Sequence, residues 1–324
     1  MCQDLEKPDR SLRDVDAEFE RLLTEYRNPN SVEIDRMNVA DALKLINKED
    51  KKVADAVEAE IPKIAKAVNR VVEAFKKGGR LIYVGAGTSG RIGVLDAAEC
   101  PPTFGTSPEM IQALIAGGRD AMFKAIEGAE DNMRSGANDI RRLKVSERDV
   151  VVGLSASGRT PYVIGALKEA RRRGARTVAV ATVPKPKLGT YAEITITPIV
   201  GPEVIAGSTR MKAGTAEKMI LNMISTASMV KLGKVYTNLM VDIKPLSVKL
   251  RSRARRLLSF LANITSEDVE EIYRESGYDL KVALVMALAK VKRSTAKKAL
   301  SKNQGSVWKA ARSLSHLKKS RCFR

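Results

Sequence analysis

The spacing of apolar residues changes character near residue 80. Before that point it is helical. Ile64, Val68, Val71, Val72 and Phe75 fall on one face of a segment spanning 64–75, which Gly78-Gly79 ends. Upstream, Asn38 is a candidate N-cap for a helix over 40–46, and a further helical stretch runs from 51 to 60 until Pro62 stops it. Residues 1–63 are therefore expected to form a helical lead-in.

After residue 80 come five apolar runs of strand length, at 81–84, 111–116, 150–154, 177–181 and 194–200. Most are too continuously apolar to keep one face wet, which argues for a parallel sheet covered on both sides. The helical stretches between the first four fit right-handed crossovers. The expected fold is thus α/β and doubly wound, with a five-stranded, mainly parallel sheet in a domain spanning 64–235. Within it, an amphipathic segment at 215–232 places Met219, Met223 and Val230 on one side, as for a helix packed through its methionines. Residues 236–264 read as a connecting helical segment. The patterns broken by Gly277-Tyr278 and Asn303-Gln304-Gly305 predict a small basic helical module at 265–324.

Composition narrows the chemistry. At 324 residues the chain can bury a full core, and 44% hydrophobic with 29% charged residues is ordinary for a globular protein. No run approaches the roughly 20 apolar residues of a membrane span. The start, Met1-Cys2-Gln3-Asp4-Leu5-Glu6, lacks a basic region followed by an apolar one, so a cytoplasmic protein without a membrane partner is expected. Cys2, Cys100 and Cys322 are too far apart and too few for a disulfide framework or a zinc site. His316 is the only histidine, which leaves acid–base work to carboxylates, lysines or tyrosines. The net charge of +19 is concentrated late: residues 245–324 hold 19 Lys and Arg against 6 Asp and Glu. With only Trp308 and Phe323 as aromatics after residue 280, this block reads as a solvated helical face rather than a nucleic-acid site.

Two loops carry the candidate chemistry. Gly85-Ala86-Gly87-Thr88-Ser89-Gly90 and Ser155-Ala156-Ser157-Gly158-Arg159-Thr160 each follow a strand and open a helix, whose N-terminus favours an anion. The first matches the glycine pattern of a dinucleotide site, but the second strand ends at Ala116-Gly117-Gly118 without the acid that would hold a ribose. A P-loop is excluded by the missing Gly-Lys-Ser/Thr ending. What remains is a hydroxyl-rich pair suited to a phosphorylated small molecule, with Ser155, Ser157 and Thr160 closing around one phosphate.

The Ser-x-Ser-Gly-x-Thr spacing resembles the sugar isomerase (SIS) domain. Longer strings narrow the resemblance to the N-acetylmuramic acid 6-phosphate etherase family: the run from Gly79 to Arg91, Glu99-Cys100-Pro101-Pro102-Thr103, Glu127-Gly128-Ala129-Glu130-Asp131 and Met211-Lys212-Ala213-Gly214-Thr215-Ala216. The likeness extends from about Thr24-Glu25 to Asn238-Leu239-Met240-Val241-Asp242, and less sharply into the basic tail. It implies an SIS fold, a homodimer, a sugar-phosphate substrate, and cleavage of the lactyl ether by elimination and hydration with neither metal nor cofactor. Carried over by motif, Glu99 would donate a proton to the departing lactate and Glu130 would transfer the carbon-2 proton. Thr88 and Ser89 would meet the sugar, and Ser155, Ser157 and Thr160 the phosphate. Glu99 is expected to end a helix just before Pro101-Pro102, and Glu130 to end a helix leading from Arg119. Asp96, one turn before Glu99, could raise the Glu99 pKa by repulsion, while Glu127 and Asp131 read as solvated or capping groups. The segment from Glu203 to Lys212 resembles a further turn near the same pocket, where Arg210 or Lys212 either balances substrate charge or forms a structural ion pair.

The chain departs from the family pattern at Ala181-Thr182-Val183-Pro184-Lys185-Pro186-Lys187 and at Ile243-Lys244-Pro245-Leu246-Ser247. The competing function is a sugar-phosphate-sensing SIS regulator, which needs the phosphate loops but not a paired acid and base. Retention of Glu99 and Glu130 in their full strings favours the enzyme. A transcription regulator of SIS type would need a helix-turn-helix segment before the sheet, and none is apparent.

Overall fold

Five strands form one parallel sheet in the order β2-β1-β3-β4-β5: β1 (Leu81–Gly85), β2 (Ile111–Ile115), β3 (Val150–Leu154), β4 (Arg176–Val180) and β5 (Ile194–Ile196). Every residue of β1 and β3 is buried, as their unbroken apolar sequence requires. The structure is a computed structural model and describes residues 23–242 and 248–314. Cys2, His316, Cys322 and the departure at 243–247 lie outside the described residues. The doubly wound α/β class expected from the sequence is the one observed, with the sheet entirely parallel.

The helices are α1 (Val39–Asp50), α2 (Lys52–Glu58), α3 (Ile61–Lys76), α4 (Gly87–Phe104), α5 (Met133–Arg142), α6 (Pro161–Arg172) and α7 (Lys212–Lys231). The chain divides into two compact units. The first holds the described residues up to Ala97 together with Ile111–Met223, and the second holds Ala98–Met110 and the described residues from Ile224 onward. In the first unit the core packs β1, β3 and β4 against Tyr162, Val163, Ala166, Leu167 and Ala170 of α6. The second has its own core, in which Leu258, Tyr273, Leu284, Val285 and Leu300 join α8 (Val248–Ala262), α9 (Ser266–Glu275), α10 (Leu280–Ala289), α11 (Arg293–Lys302) and α12 (Val307–Leu314). Lys290, Lys292, Arg293, Lys297, Lys298, Lys302 and Lys309 are exposed there, so this part of the basic block is solvated. Among the described residues no helix is long and apolar enough to cross a membrane.

Four local expectations are revised. Pro62 does not stop a helix but sits in the first turn of α3, where its missing N–H costs nothing. The run at 194–200 yields a strand of three residues, since Pro198 cannot donate to a ladder. Helix α4 continues past Glu99 through Pro101 and Pro102 to Phe104, because both prolines fall in its last turn, where Gly105 N–H closes on Pro101 C=O at 2.9 Å. On α7 Ile220, Leu221, Ile224 and Met229 are among the fully buried residues, whereas Val230 is exposed and Met219 and Met223 are half-buried.

The lead-in is fastened to the sheet domain by a buried polar network. Lys212 Nζ lies 2.8 Å from Glu49 Oε2, and each side chain is only 1% exposed. Glu49 also accepts hydrogen bonds from Asn28, Asn30 and Lys52. The Glu203 carboxylate, itself buried, accepts from the N–H groups of Lys212 and Ala213 and so caps α7. Asn28 and Ser31 complete the fastening by donating to the carbonyls of Pro202 and Val204. Lys212 is therefore a structural ion-pair partner, which resolves the alternative left open by its sequence.

Replacing one member of such a pair leaves a buried charge uncompensated. Lys212→Met is expected to destabilise the fold by about 3–5 kcal/mol, read as a fall in denaturation midpoint with an unchanged slope. Acid should act on the same contacts. Burial alone would raise the Glu49 pKa, but the hydrogen bonds from Lys212, Lys52, Asn30 and Asn28 outweigh it and hold the carboxyl at about 2. Hydrogen bonds from Arg172 and Arg141 hold Glu169 at about 2 against its own burial. Folded values below the unfolded one mean that these carboxylates stabilise above pH 4.5 and lose that contribution as pH falls toward 2. A stability titration should decline across that window, and the K212M variant should decline less steeply.

Candidate functional site

The strand register determines where the two loops go. Gly85 at the end of β1 pairs with Leu154 at the end of β3 and with Ile115 at the end of β2, so the three strands finish level. Between β1 and β3 the order of connection reverses, and in such sheets ligands bind outside the carboxyl ends of the strands at that point. A cavity of about 710 Å³ opens there, within the size range of small-molecule sites. Thr88, Ser89, Glu130, Ser155, Ser157 and Thr160 all line it.

The β3 loop gathers three hydroxyls. Ser155 Oγ lies 2.7 Å from Thr160 Oγ1 and 3.4 Å from Ser157 Oγ, just ahead of the N-terminus of α6. Its backbone is held from both sides: Thr182 donates by N–H and hydroxyl to Ala156 C=O, and Leu188 N–H donates to Gly158 C=O. Gly158 adopts φ +68°, and a Cβ there would come within 2.3 Å of Pro186 Cβ. The departing segment at 181–187 is thus packed directly on the hydroxyl loop, and through it Lys187 joins Arg159 in the cavity lining.

On the β1 side, the glycines of the first loop serve close packing of strand and helix. A Cβ on Gly85 would meet Gly90 N at 2.6 Å. Ser89, in the first turn of α4, donates its hydroxyl proton to Glu217 Oε1 at 2.9 Å. Glu217 is 1% exposed, and burial pushes its pKa up to about 8 against that hydrogen bond. The β2 side contributes carboxylates. Glu130 is half-buried on a single 3-10 turn, Ala129–Asp131, rather than at the end of an α-helix. Gly117, Gly118 and Gly128 all take positive φ and interrupt helical continuity before it. Arg91 steadies this excursion by donating to the carbonyls of Met122 and Lys124. Glu127 and Asp131 are exposed, though both reach the lining.

Sheet order therefore spreads the charge. Carboxylates arrive from β2, hydroxyls and Arg91 from β1, and hydroxyls with Arg159 and Lys187 from β3 and β4. Glu99 is placed otherwise: it is exposed on α4, belongs to the second unit and does not line this cavity. Asp96, one turn earlier, is buried and accepts hydrogen bonds from Tyr83 and Asn222. Thr24, Glu25, Arg91, Lys187 and Glu217 went unassigned in the sequence. The first pair lies in the lead-in and reaches the rim because Gly207 N–H donates to Thr24 C=O. No local motif announces such a contact. Arg91 and Lys187 were visible inside strings already singled out.

Two family models match: the glucokinase regulatory protein N-terminal SIS domain over residues 63–171, and the SIS domain over residues 135–227. Among curated proteins, the N-acetylmuramic acid 6-phosphate etherase of Caldanaerobacter subterraneus is 52% identical over 90% of this chain and 95% of its own length. That of Clostridium botulinum strain Okra is 51% identical over 92% of this chain and 98% of its own length. A solved phosphoheptose isomerase from Neisseria gonorrhoeae is similar at a TM-score of 0.48, 16% identical, covering 59% of this chain and 98% of that one.

The Gly158 contact can be tested directly. Gly158→Ala combines a left-handed backbone with the clash against Pro186, and should loosen the hydroxyl loop. Calorimetric titration with a hexosamine 6-phosphate is expected to give at least about tenfold weaker binding, equivalent to about 1.4 kcal/mol.

Proposed function

The chain belongs to the N-acetylmuramic acid 6-phosphate etherase family, and we propose from this premise that its cavity detaches D-lactate from carbon 3 of N-acetylmuramic acid 6-phosphate, leaving N-acetylglucosamine 6-phosphate. The observation that carries this reading is a single cavity lined by both the three-hydroxyl loop and the Glu130 carboxylate. One can hold a phosphate while the other works on carbon.

The chemistry follows from the substrate. In the open-chain sugar the aldehyde makes the carbon-2 proton acidic and puts the lactyl oxygen in the β position. Glu130, as base, takes the carbon-2 proton; the carbon–oxygen bond at carbon 3 then breaks, leaving a carbon-2 to carbon-3 double bond conjugated with the aldehyde. Glu99 gives a proton to the departing lactate oxygen. Water adds back at carbon 3 as a proton returns to carbon 2, so atoms and electrons balance with the aldehyde as the electron sink. Neither metal nor organic cofactor is required by this path. A base and an acid in separate settings suit two groups that must hold opposite protonation states.

In this reading Ser155, Ser157 and Thr160 hold the phosphate at the N-terminus of α6, with Arg159 and Lys187 supplying positive charge. Thr88 and Ser89 hold the sugar. The assignment of Glu99 rests on its motif, since it lies outside the lining of the cavity. The working protein is a homodimer, as the SIS resemblance implies, and cytoplasmic. A sugar-phosphate-sensing regulator is not favoured: the regulator-type model matches residues 63–171 alone, whereas relatives named as etherases match 90% of the chain or more.

Incubation with N-acetylmuramic acid 6-phosphate should release D-lactate, measured enzymatically. Glu130→Gln and Glu99→Gln are each expected to lower kcat at least about 100-fold, the ordinary worth of a positioned acid or base. Intact protein that binds the sugar phosphate tightly but frees no lactate would sink the etherase reading. Full activity in the Glu99 variant would remove that residue from the chemistry and leave the reaction assignment standing.

A further inference from the structure

Glu217 is a buried acid that the proposed chemistry leaves unused. It lies on the second turn of α7, and among the described residues the side chain hydrogen-bonded to it is Ser89. A serine hydroxyl has one proton to donate. Here that proton goes to Glu217 Oε1 at 2.9 Å, so Ser89 can offer the cavity only its lone pairs. Lys212, five residues earlier on α7, is taken by Glu49 and does not neutralise Glu217. Burial without a paired cation raises the Glu217 pKa, against the hydrogen bond that Ser89 donates to its carboxyl.

We propose that Glu217 is a positioning residue that holds Ser89 as a hydrogen-bond acceptor in the cavity, so that the site selects a sugar group that donates, a hydroxyl or an amide N–H. The inference rests on the reading of the cavity as a sugar-phosphate site. Glu217 touches no substrate and acts through Ser89 alone. An apolar residue in its place frees the Ser89 proton to turn into the cavity, where it opposes the donor on the sugar. Glutamine keeps a carbonyl oxygen for Ser89 and should preserve the arrangement.

The test compares Glu217→Leu, Glu217→Met, Glu217→Gln, Ser89→Ala and the double variant S89A/E217L, each checked for folding by circular dichroism. Turnover of N-acetylmuramic acid 6-phosphate and calorimetric binding of N-acetylglucosamine 6-phosphate are read side by side. E217L should raise KM and weaken product binding about tenfold with kcat changed less than about threefold, the signature of a lost uniform binding contact. E217M carries the same comparison should E217L not fold. E217Q should restore both constants to within about threefold, and the double variant should bind no more weakly than S89A, because both changes remove one contact. Unchanged KM and affinity in E217L, additive losses in the double variant, or failure of E217Q to rescue would each overturn the proposal. A wild-type protein that binds product but makes no lactate would sink the etherase reading instead, and the calorimetric arm would still decide the role of Glu217.

Discussion

A charge pair sealed from water at both ends organises the first unit. Glu49 and Lys212 come from segments more than 160 residues apart in the chain, and neither could be buried alone. Their pairing brings the lead-in helices to the start of α7, and the contacts of Asn28, Ser31 and Glu203 line up behind it. Thr24 and Glu25 on one side, and Gly207 and Thr209 on the other, owe their places at the cavity rim to this fastening. The pair touches no ligand, yet it sets the boundary within which a ligand would sit.

Inside that boundary the sheet does the sorting. Parallel strands ending level put successive loops side by side, and the reversal of order between β1 and β3 opens a gap where those loops diverge. The acid-bearing excursion after β2 and the hydroxyl loop after β3 face each other across the β1 loop. A small molecule bound there would meet carboxylates and Arg91 on one side and hydroxyls with Arg159 and Lys187 on the other, which distinguishes its two ends.

The strands and their parallel pairing were legible because β1 and β3 are so continuously apolar that only a doubly covered sheet accounts for them. The hydroxyl loops were legible because their chemistry is local: Ser155, Ser157 and Thr160 are neighbours in sequence and in space. Boundaries at prolines were misread where position within a turn decided the outcome, as at Pro62 and at Pro101-Pro102. The contributions of Thr24, Glu25 and Glu217 were hidden for another reason. Each depends on a partner more than 100 residues away, at Gly207 or Ser89, and periodicity carries no trace of such pairings.

The packing of Pro186 against Gly158 has an evolutionary consequence. The hydroxyl loop and the segment lying on it share a contact too close for even one extra methyl group. They cannot drift independently. Any other segment at 181–187 would have to leave the same close approach beside Gly158, or the loop would shift with it. The rim at 181–187 and the cradle beneath it thus behave mechanically as one piece, and a change of substrate preference should be sought in that piece as a whole.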